Sequence, residues 1–569
     1  MFVHRPSIAG TRHMISAGHY LAATAGFEVL QAGGNAIDAG CAAGIALGVV
    51  QPDIVNVAGV APIILYSAAT REVVTIAGLG GWPRALDPTI FQREHGGTMP
   101  SGVRRTVVPA APDAWITALA RYGTMRFGEV AASAIRLARD GFVMYPFLAD
   151  NIKKYAEEYR RWPSSAAIYL PTGRPPATGE LFVQRDLGAS LQYMADQEQA
   201  ARGDRLAGLE AARAAFYRGD IAQKIVAFQR AEGGFLSEQD LADYRSPVTP
   251  PEQLDRGNIK VYTCGAWCQG PALLQTLKLL EGTDLKALGH NSPSYIHRLT
   301  EALKLAFADR EAYYTDPALG HVPLDRLLSD EYAARRRASI DPARAWPEMP
   351  APGELGDLTA AARPLVAASG EPIPDRDTSY VCVVDKDGNV FSATPSDTSS
   401  QSPVVPGTGL VPSSRGSQSR PDPAHPAGVA PGRRPRLTPN PGLAIQDGEV
   451  FVPFGTPGGD VQTQAMLQTF LNLFTFGMDV QEAIEAPRFA TASFPSSFAP
   501  YEYFPGRLNL EGRIDKATGD TLAAMGHKVT WWPDWNWLAG AMCAIVADRK
   551  TGLLRGGADP RRASYALGW

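Results

Sequence analysis

The sequence has little that would place it among nucleic-acid-binding or membrane proteins. Its 54 Lys and Arg nearly balance 58 Asp and Glu, and the formal net charge of −4 gives no reason to expect nucleic acid or an anionic membrane as a partner. The most apolar early run, residues 39–50, is too short to span a bilayer. No apolar stretch of signal-peptide length precedes residue 13, so we expect a cytoplasmic globular protein acting on small molecules.

Cysteine is scarce and several enzyme motifs are missing. The five cysteines are an odd number in apolar segments, which favours buried thiols in a reducing compartment over a disulfide framework. Cys264 and Cys268 form the one close pair, but no second Cys or His pair follows at zinc spacing. There is no Gly-x-Ser-x-Gly, His-Glu-x-x-His or Walker loop, and the nine histidines are scattered. We therefore predict no metal and no organic cofactor.

Periodicity predicts one strand-rich part at residues 62–77 and another after residue 378, with a mainly helical stretch between them. Two strand-rich parts with helices around them favour an α+β fold in which two sheets face each other. The loop at 339–374 is typical of a mobile connector, and that at 399–441 of either a disordered segment or a lid. Helices are predicted at 20–31, 36–50, 112–122, 127–140, 146–160, 207–230, 294–314, 461–474 and 516–525, and strands at 62–66, 73–77, 259–263, 380–384, 390–393, 443–446, 450–454, 529–532 and 542–548.

Thr378 opens a strand directly after the first of these loops. A threonine can act as a nucleophile without histidine when its own α-amino group serves as the base, and this requires cleavage of the preceding bond. The bond between Asp377 and Thr378 is thus a candidate for self-cleavage. Gly458 and Gly459, at a strand-to-helix junction, present backbone amides suited to an oxyanion hole, with an ordinary tight turn as the alternative.

Several further motifs, together with these residues, resemble the γ-glutamyltranspeptidase family, whose members are N-terminal-nucleophile hydrolases made as one chain and autocleaved into two subunits. The resemblance implies a four-layer αββα sandwich, with subunits 1–377 and 378–569. It implies no cofactor. The motifs lie at residues 33–38, 48–52, 122–125, 137–142, 306–310, 384–389, 406–409, 456–459, 485–489 and 556–561.

The resemblance also implies roles for individual residues. Thr378 falls at the nucleophile, and Gly458 and Gly459 fall at the oxyanion donors. Ser396 matches a hydroxyl that hydrogen-bonds the nucleophile. Arg84 lies near the position of an arginine that grips the substrate α-carboxylate, and an ordinary surface arginine is the alternative there.

The chain departs from the family where the substrate head group would bind. After Gly409 the family has an Asn-rich, acidic run, whereas residues 410–419 here contain no carboxylate, and paired serines are replaced around Leu437 and Thr438. Each lost hydrogen bond to a charged group weakens binding by about 1.5–3 kcal/mol. We therefore predict a self-processing amidohydrolase or acylase that forms an acyl-enzyme on Thr378 and whose substrate is not a standard γ-glutamyl compound.

Two alternatives remain open at this point. One is a γ-glutamyl hydrolase or transpeptidase acting on glutathione-like substrates through a rebuilt site in which Arg415 or Gln418 binds the head group. The other is an unprocessed, inactive member that binds a ligand. The expected partners are a small-molecule amide and the chain's own two subunits, without nucleic acid or membrane; whether processed heterodimers pair into a dimer, and whether water or an amine accepts the acyl group, is left open.

Overall fold

The computed structural model describes residues 3–356, 365–370 and 378–569. Its α-helices are α1 Tyr20–Gln31, α2 Ala36–Val50, α3 Ile90–His95, α4 Ala111–Tyr122, α5 Phe127–Asp140, α6 Pro146–Lys154, α7 Ala156–Arg160, α8 Pro163–Tyr169, α9 Arg185–Ala200, α10 Arg205–Tyr217, α11 Asp220–Ala231, α12 Glu238–Asp243, α13 Gly270–Leu279, α14 Leu285–Leu288, α15 Pro293–Tyr313, α16 Leu324–Leu327, α17 Asp330–Ala338, α18 Val461–Phe474, α19 Val480–Glu485 and α20 Lys516–Ala524.

The strands complete the secondary structure of the described ranges. They are β1 Ile8–Gly10, β2 Met14–Ala17, β3 Ile63–Ser67, β4 Glu72–Ile76, β5 Phe142–Val143, β6 Leu181–Phe182, β7 Val248–Thr249, β8 Glu252–Arg256, β9 Ile259–Thr263, β10 Val381–Val384, β11 Val390–Ala393, β12 Gly442–Gln446, β13 Val450–Gly455, β14 Phe489–Thr491, β15 Arg507–Glu511, β16 Lys528–Trp532, β17 Cys543–Asp548, β18 Leu553–Ala558 and β19 Tyr565–Gly568.

Two seven-stranded antiparallel sheets organise these elements. One has the strand order β19-β2-β10-β11-β3-β4-β7 and the other β1-β18-β17-β13-β12-β9-β8. In the first sheet β10 lies between β2 and β11, with Val381 opposite both Ala17 and Ala393. Strands from before and after residue 378 are therefore interleaved within one sheet.

Side-chain alternation along the strands separates two kinds of core. In β10, Val381 and Val383 belong to a cluster with α1 and α2, whereas Cys382 and Val384 belong to a cluster shared by both sheets. In the other sheet, Ala444 joins a cluster with α13, α15 and α18. Because successive strand residues point to opposite faces, the sheets pack against each other and helices cover their outer faces. The α+β prediction is confirmed.

Two of the sequence motifs form one structural unit at the start of α2. Asn35 caps the helix in a capping box with Asp38, and its side-chain amide donates to the carbonyl of Tyr122. The Asp38 carboxylate accepts hydrogen bonds from the backbone N–H and hydroxyl of Thr124. Gly40, further along α2, lies so close to Phe391 that an added Cβ would be 2.1 Å from the ring. The whole of α2 is buried, as expected of a helix that is apolar on every side.

Several boundaries differ from the sequence prediction. The predicted helix at 146–160 is divided into α6 and α7 around Tyr155, and that at 207–230 into α10 and α11 around Gly219, which caps α11 in an extended conformation. The disordered reading of 399–441 is wrong, since most of these residues are buried and Arg415–Gln418 forms a 3-10 helix. In the ranges that the structure describes, no helix is both long and apolar enough to cross a membrane.

Candidate active site

The β10–β11 hairpin places Thr378 beside Ser396. The strand register that pairs Val381 with Ala393 continues beyond the strand ends, so that Thr378 and Ser396 form a further bridge. Their hydroxyl oxygens lie 2.8 Å apart, and both residues are fully buried. Asp385, in the hairpin turn, accepts hydrogen bonds from the backbone of Asn389 and so fixes the register. The hairpin therefore holds two hydroxyl groups in hydrogen-bond contact at the centre of a sheet.

A glycine turn brings the N-terminus of α18 to the same place. Gly458 and Gly459 have φ angles of 127° and 53°, values that favour glycine, and α18 begins two residues later at Val461. From the first turn of α18, the Gln462 side-chain amide donates to the Thr378 hydroxyl at 3.5 Å. The partial positive charge of a helix N-terminus thus lies next to the hydroxyl pair.

Gln269 ties this glycine turn to the neighbouring loop. Its side-chain amide donates to the carbonyl oxygens of Gly459, at 2.9 Å, and Thr438, at 3.0 Å. Its carbonyl oxygen accepts from Arg310 at 3.1 Å, and Arg310 is ion-paired with Asp460. Since Gln269 is buried, these bonds hold the Gly459 carbonyl in place.

Arg415 brings a guanidinium group into contact with the hydroxyl pair. It is 2% exposed, and its Nη2 donates to Ser396 Oγ. Its Nε lies 3.9 Å from Oδ2 of Asp397, a non-glycine residue with a φ of 139°. The Asp397 carboxylate accepts from the hydroxyls of Ser413 at 2.6 Å and Ser414 at 2.7 Å, so Asp397 anchors the segment that carries Arg415.

The other two proposed substrate-binding residues have different surroundings. Gln418 is buried, and its amide donates to the Thr438 hydroxyl at 2.8 Å, next to the carbonyl that Gln269 holds. The Arg84 side chain is 62% exposed and pairs with Asp243 at 2.8 Å, an environment that matches the surface alternative. Asp377 lies outside the described residues. The structure therefore brings Thr378, Ser396, Arg415 and the glycine turn together but places Arg84 in a surface ion pair.

Three residues of this site were missed from the sequence: Gln269, Asp397 and Gln462. The signal for Gln462 was present, because α18 combines apolar residues with a run of polar ones that are all buried, namely Gln462, Thr463, Gln464, Gln468 and Thr469. Buried polar side chains need partners, so such a helix points to a polar site. Asp397 and Gln269 had no comparable signal, since their contacts depend on the tertiary structure.

A buried ionic cluster lies beyond the Arg415 segment. Although burial favours its neutral acid, the guanidinium groups of Arg420 and Arg436 hold the pKa of the Glu311 carboxyl well below its usual range. A cavity of about 580 Å³ adjoins this cluster, and apolar side chains such as Met349 and Tyr503 form much of its wall. The cluster keeps several charges buried beside a cavity large enough for a small molecule.

One group in the described ranges has the composition of a metal site. The ligand atoms of His297, Glu301 and His527 lie within 4.8 Å of one another. However, His297 already bonds to His527 at 2.9 Å and to the Asp341 carbonyl at 2.8 Å, and Glu301 pairs with Lys304 at 2.7 Å. A hydrogen-bond and ion-pair network accounts for this arrangement without a metal.

Paired hydroxyls beside a glycine turn at a helix N-terminus are groups that acyl transfer through a hydroxyl nucleophile can use. The family model described as gamma-glutamyltranspeptidase matches residues 22–569. The chain thus belongs to the γ-glutamyltranspeptidase family, as its motifs predicted, and it is an amidohydrolase of the N-terminal-nucleophile type.

Similar proteins support the same assignment. The acylase ACY 1 proenzyme of Pseudomonas sp. (strain SE83) is 34% identical over 95% of this chain and 90% of its own length. The glutathione hydrolase-like YwrD proenzyme of Bacillus subtilis (strain 168) is 31% identical over 99% of both chains. The crystal structure of cephalosporin acylase from Bacillus halodurans is 28% identical, with a TM-score of 0.86 over 100% of this chain and 98% of its own.

Proposed function

We propose that the protein cleaves itself between Asp377 and Thr378 and then hydrolyses an amide through an acyl-enzyme on Thr378. The observation that carries this proposal is the 2.8 Å contact between the Thr378 and Ser396 hydroxyls beside the Gly458–Gly459 turn. We further infer that the two facing sheets with their outer helices are the four-layer αββα sandwich of N-terminal-nucleophile hydrolases, composed of subunits 1–377 and 378–569.

Self-cleavage would begin when the Thr378 hydroxyl attacks the carbonyl carbon of Asp377. The Asp377 acyl group moves from the Thr378 nitrogen to its Oγ1, which leaves an ester and a free α-amino group. Water then hydrolyses the ester and releases a carboxylate on residue 377. Thr378 was fully buried before this step, so the departure of the preceding residues would also give substrate access to it.

Turnover would use the α-amino group that cleavage creates. It accepts the proton of the Thr378 hydroxyl while Oγ1 attacks the substrate amide, and it returns the proton to the leaving amine. The backbone amides of Gly458 and Gly459 would stabilise the oxyanion, helped by the N-terminus of α18. Ser396 and Gln462 orient Oγ1, and water hydrolyses the acyl-enzyme.

We place the acyl-binding site next to Arg415 and Gln418. Both side chains are buried on the segment that replaces the acidic run of the family, so the glutamyl α-amino group lacks its carboxylate partners there. Acylases among the relatives favour a non-glutamyl acyl group. The glutathione hydrolase-like relative, similar along its whole length, supports γ-glutamyl hydrolysis as the second candidate. Arg84 stays a prediction as a carboxylate ligand, although its pairing with Asp243 argues against it.

A denaturing gel with N-terminal sequencing tests the proposal. Two fragments, the smaller beginning at Thr378, are expected from the natural chain, whereas Thr378→Ala should remain a single inactive chain. Thr469→Ala, a change at another buried threonine, serves as the control and should still be cleaved. A natural chain that stays intact would support the unprocessed ligand-binding alternative. Efficient turnover of γ-glutamyl-p-nitroanilide by the cleaved enzyme would instead support the second candidate.

A further inference from the structure

We infer that the enzyme selects acyl groups carrying a carboxylate within about two carbons of the scissile carbonyl, and that Arg415 binds this carboxylate. This inference rests on the proposed function, because it requires Thr378 to be the nucleophile. Asp397 acts as a positioning residue that holds the guanidinium in place.

The distance between the cation and the nucleophile favours a short acyl group. Arg415 donates to Ser396, and Ser396 contacts Thr378 Oγ1 at 2.8 Å, so only one hydroxyl separates the guanidinium from the attacking oxygen. Two consecutive hydrogen bonds span at most about 6 Å. A reacting carbonyl carbon sits about 3–3.5 Å from its nucleophile, so a carboxylate attached directly or through one or two carbons reaches the guanidinium without full extension of the acyl chain. A γ-glutamyl group places three carbons between the two.

The electrostatic surroundings favour an anion at this place. Arg415 is nearly inaccessible to water, and interactions between charges strengthen where water is excluded. A guanidinium presents a planar set of N–H donors that matches a carboxylate. The entering carboxylate takes up these donors in exchange for partners that the side chain has in the present structure, so the inference does not require a free guanidinium.

Asp397 holds the arginine in a fixed orientation. Its Oδ2 lies 3.9 Å from Arg415 Nε, beyond normal hydrogen-bond distance, while its oxygens accept short bonds from the Ser413 and Ser414 hydroxyls. The carboxylate is thus committed mainly to the serines. Asp397 has a φ of 139°, a strained backbone conformation for a non-glycine residue, and this conformation accompanies its contacts with the two serines.

The first test uses the natural, processed enzyme and a series of dicarboxylic acid mono-p-nitroanilides. The members differ in the number of carbons between the carboxylate and the scissile carbonyl, from none to four, and each is paired with its neutral methyl ester. For the short members we expect kcat/KM to exceed that of the ester by about 10- to 150-fold, the range for a hydrogen bond to a charged group. The ratio should fall once three carbons are reached. Equal turnover of acids and esters across the series would overturn the inference.

The second test compares Arg415→Met and Arg415→Lys with Arg105→Met, a change at another buried arginine, which bonds to two backbone carbonyls and to the side chains of Gln401 and Ser101. Arg415→Met should lower the acid-to-ester ratio of kcat/KM by about tenfold or more, and Arg415→Lys should lower it less. Asp397→Asn should lower the same ratio, mainly through KM, whereas Arg105→Met should leave it unchanged. Equal losses on acid and ester would mean that Arg415 acts on the hydroxyl pair, which contradicts the inference.

The denaturing gel distinguishes failure of the proposed function from failure of this inference. If the natural chain is not cleaved at Thr378 and no amide is hydrolysed, the proposed function fails. If cleavage occurs and neutral amides are the better substrates, only the inference about Arg415 fails. If an Arg415 variant is not cleaved, the substrate series on the natural enzyme tests the inference about carboxylate binding.

Discussion

Replacement of Gln269 by leucine removes the side chain that holds the Gly459 carbonyl of the glycine turn. The natural side chain makes three buried hydrogen bonds, to the carbonyls of Gly459 and Thr438 and from the Arg310 guanidinium. A buried polar group left without a partner costs about 1–3 kcal/mol. Arg310 keeps its ion pair with Asp460, so the two carbonyls account for most of an expected loss of about 3–5 kcal/mol in the free energy of unfolding.

Gln468→Leu is the matched control, because Gln468 also makes three buried bonds. Its amide donates to the carbonyls of Gln464 and Phe489, and its oxygen accepts from the Phe489 N–H, away from the glycine turn. Both variants should therefore lose similar stability. Only Gln269→Leu should also slow self-cleavage and turnover, by about 10–100-fold, since a small displacement of catalytic groups has effects of this size.

Stability is best measured by urea unfolding in the uncut Thr378→Ala background, which avoids mixing one-chain and two-chain forms. The cleavage rate is read from a gel time course after cell-free synthesis of the chain with Thr378 intact. Equal cleavage rates for Gln269→Leu and Gln468→Leu would refute the positioning of Gly459 by Gln269. A stability loss for Gln269→Leu below about 1 kcal/mol would refute the contribution of its three bonds.

The remaining predictions concern other parts of the molecule. Burial lowers the pKa of His527 to about 3 from its usual 6.5, so the unfolded chain binds the proton first, and stability should fall by about 2 kcal/mol between pH 7 and pH 5. In His527→Gln this part of the pH dependence should disappear from urea midpoints, and an unchanged slope would contradict the buried neutral imidazole. Gly40→Ala, whose new Cβ would meet the Phe391 ring, should lower stability by about 1–3 kcal/mol, whereas Gly233→Ala, at an exposed left-handed turn with nothing within 4 Å, should cost less. Ser396→Ala should slow cleavage while leaving the chain folded, as judged by circular dichroism; cleavage at the natural rate would remove Ser396 from the mechanism.

Local patterns in the sequence predict the fold well where local forces decide it. The bounds of α1, α2, α5 and α18 agree with the prediction, because apolar spacing, caps and glycines mark both ends of these helices. The break between α10 and α11 was missed, since Gly219 is tolerated within a helix and only the packing shows that the chain turns there.

The residues of the candidate site also divide into those that the sequence predicts and those that it does not. Thr378, Ser396 and the two glycines were identified because family motifs carry them. The partners that hold them were not, because Gln269 contacts residues far along the chain and Asp397 contacts serines of a loop whose path the sequence does not show. The segment at 399–441 shows the limit of composition: its Ser, Pro and Gly suggest disorder, but Asp397 and Glu311 supply the partners that let it fold against the core.

The interleaved sheet affects how the processed enzyme could refold after it unfolds. Strand β2 pairs with β10 on one side and with β19 on the other, while β11 pairs with β3. After cleavage at Thr378, β2 and β3 would belong to one polypeptide, and β10, β11 and β19 to the other. Refolding would then be a bimolecular reaction that lacks the high effective concentration provided by a single chain. We expect the protein to fold before it is cleaved. The cleaved enzyme would then stay active only because it unfolds slowly.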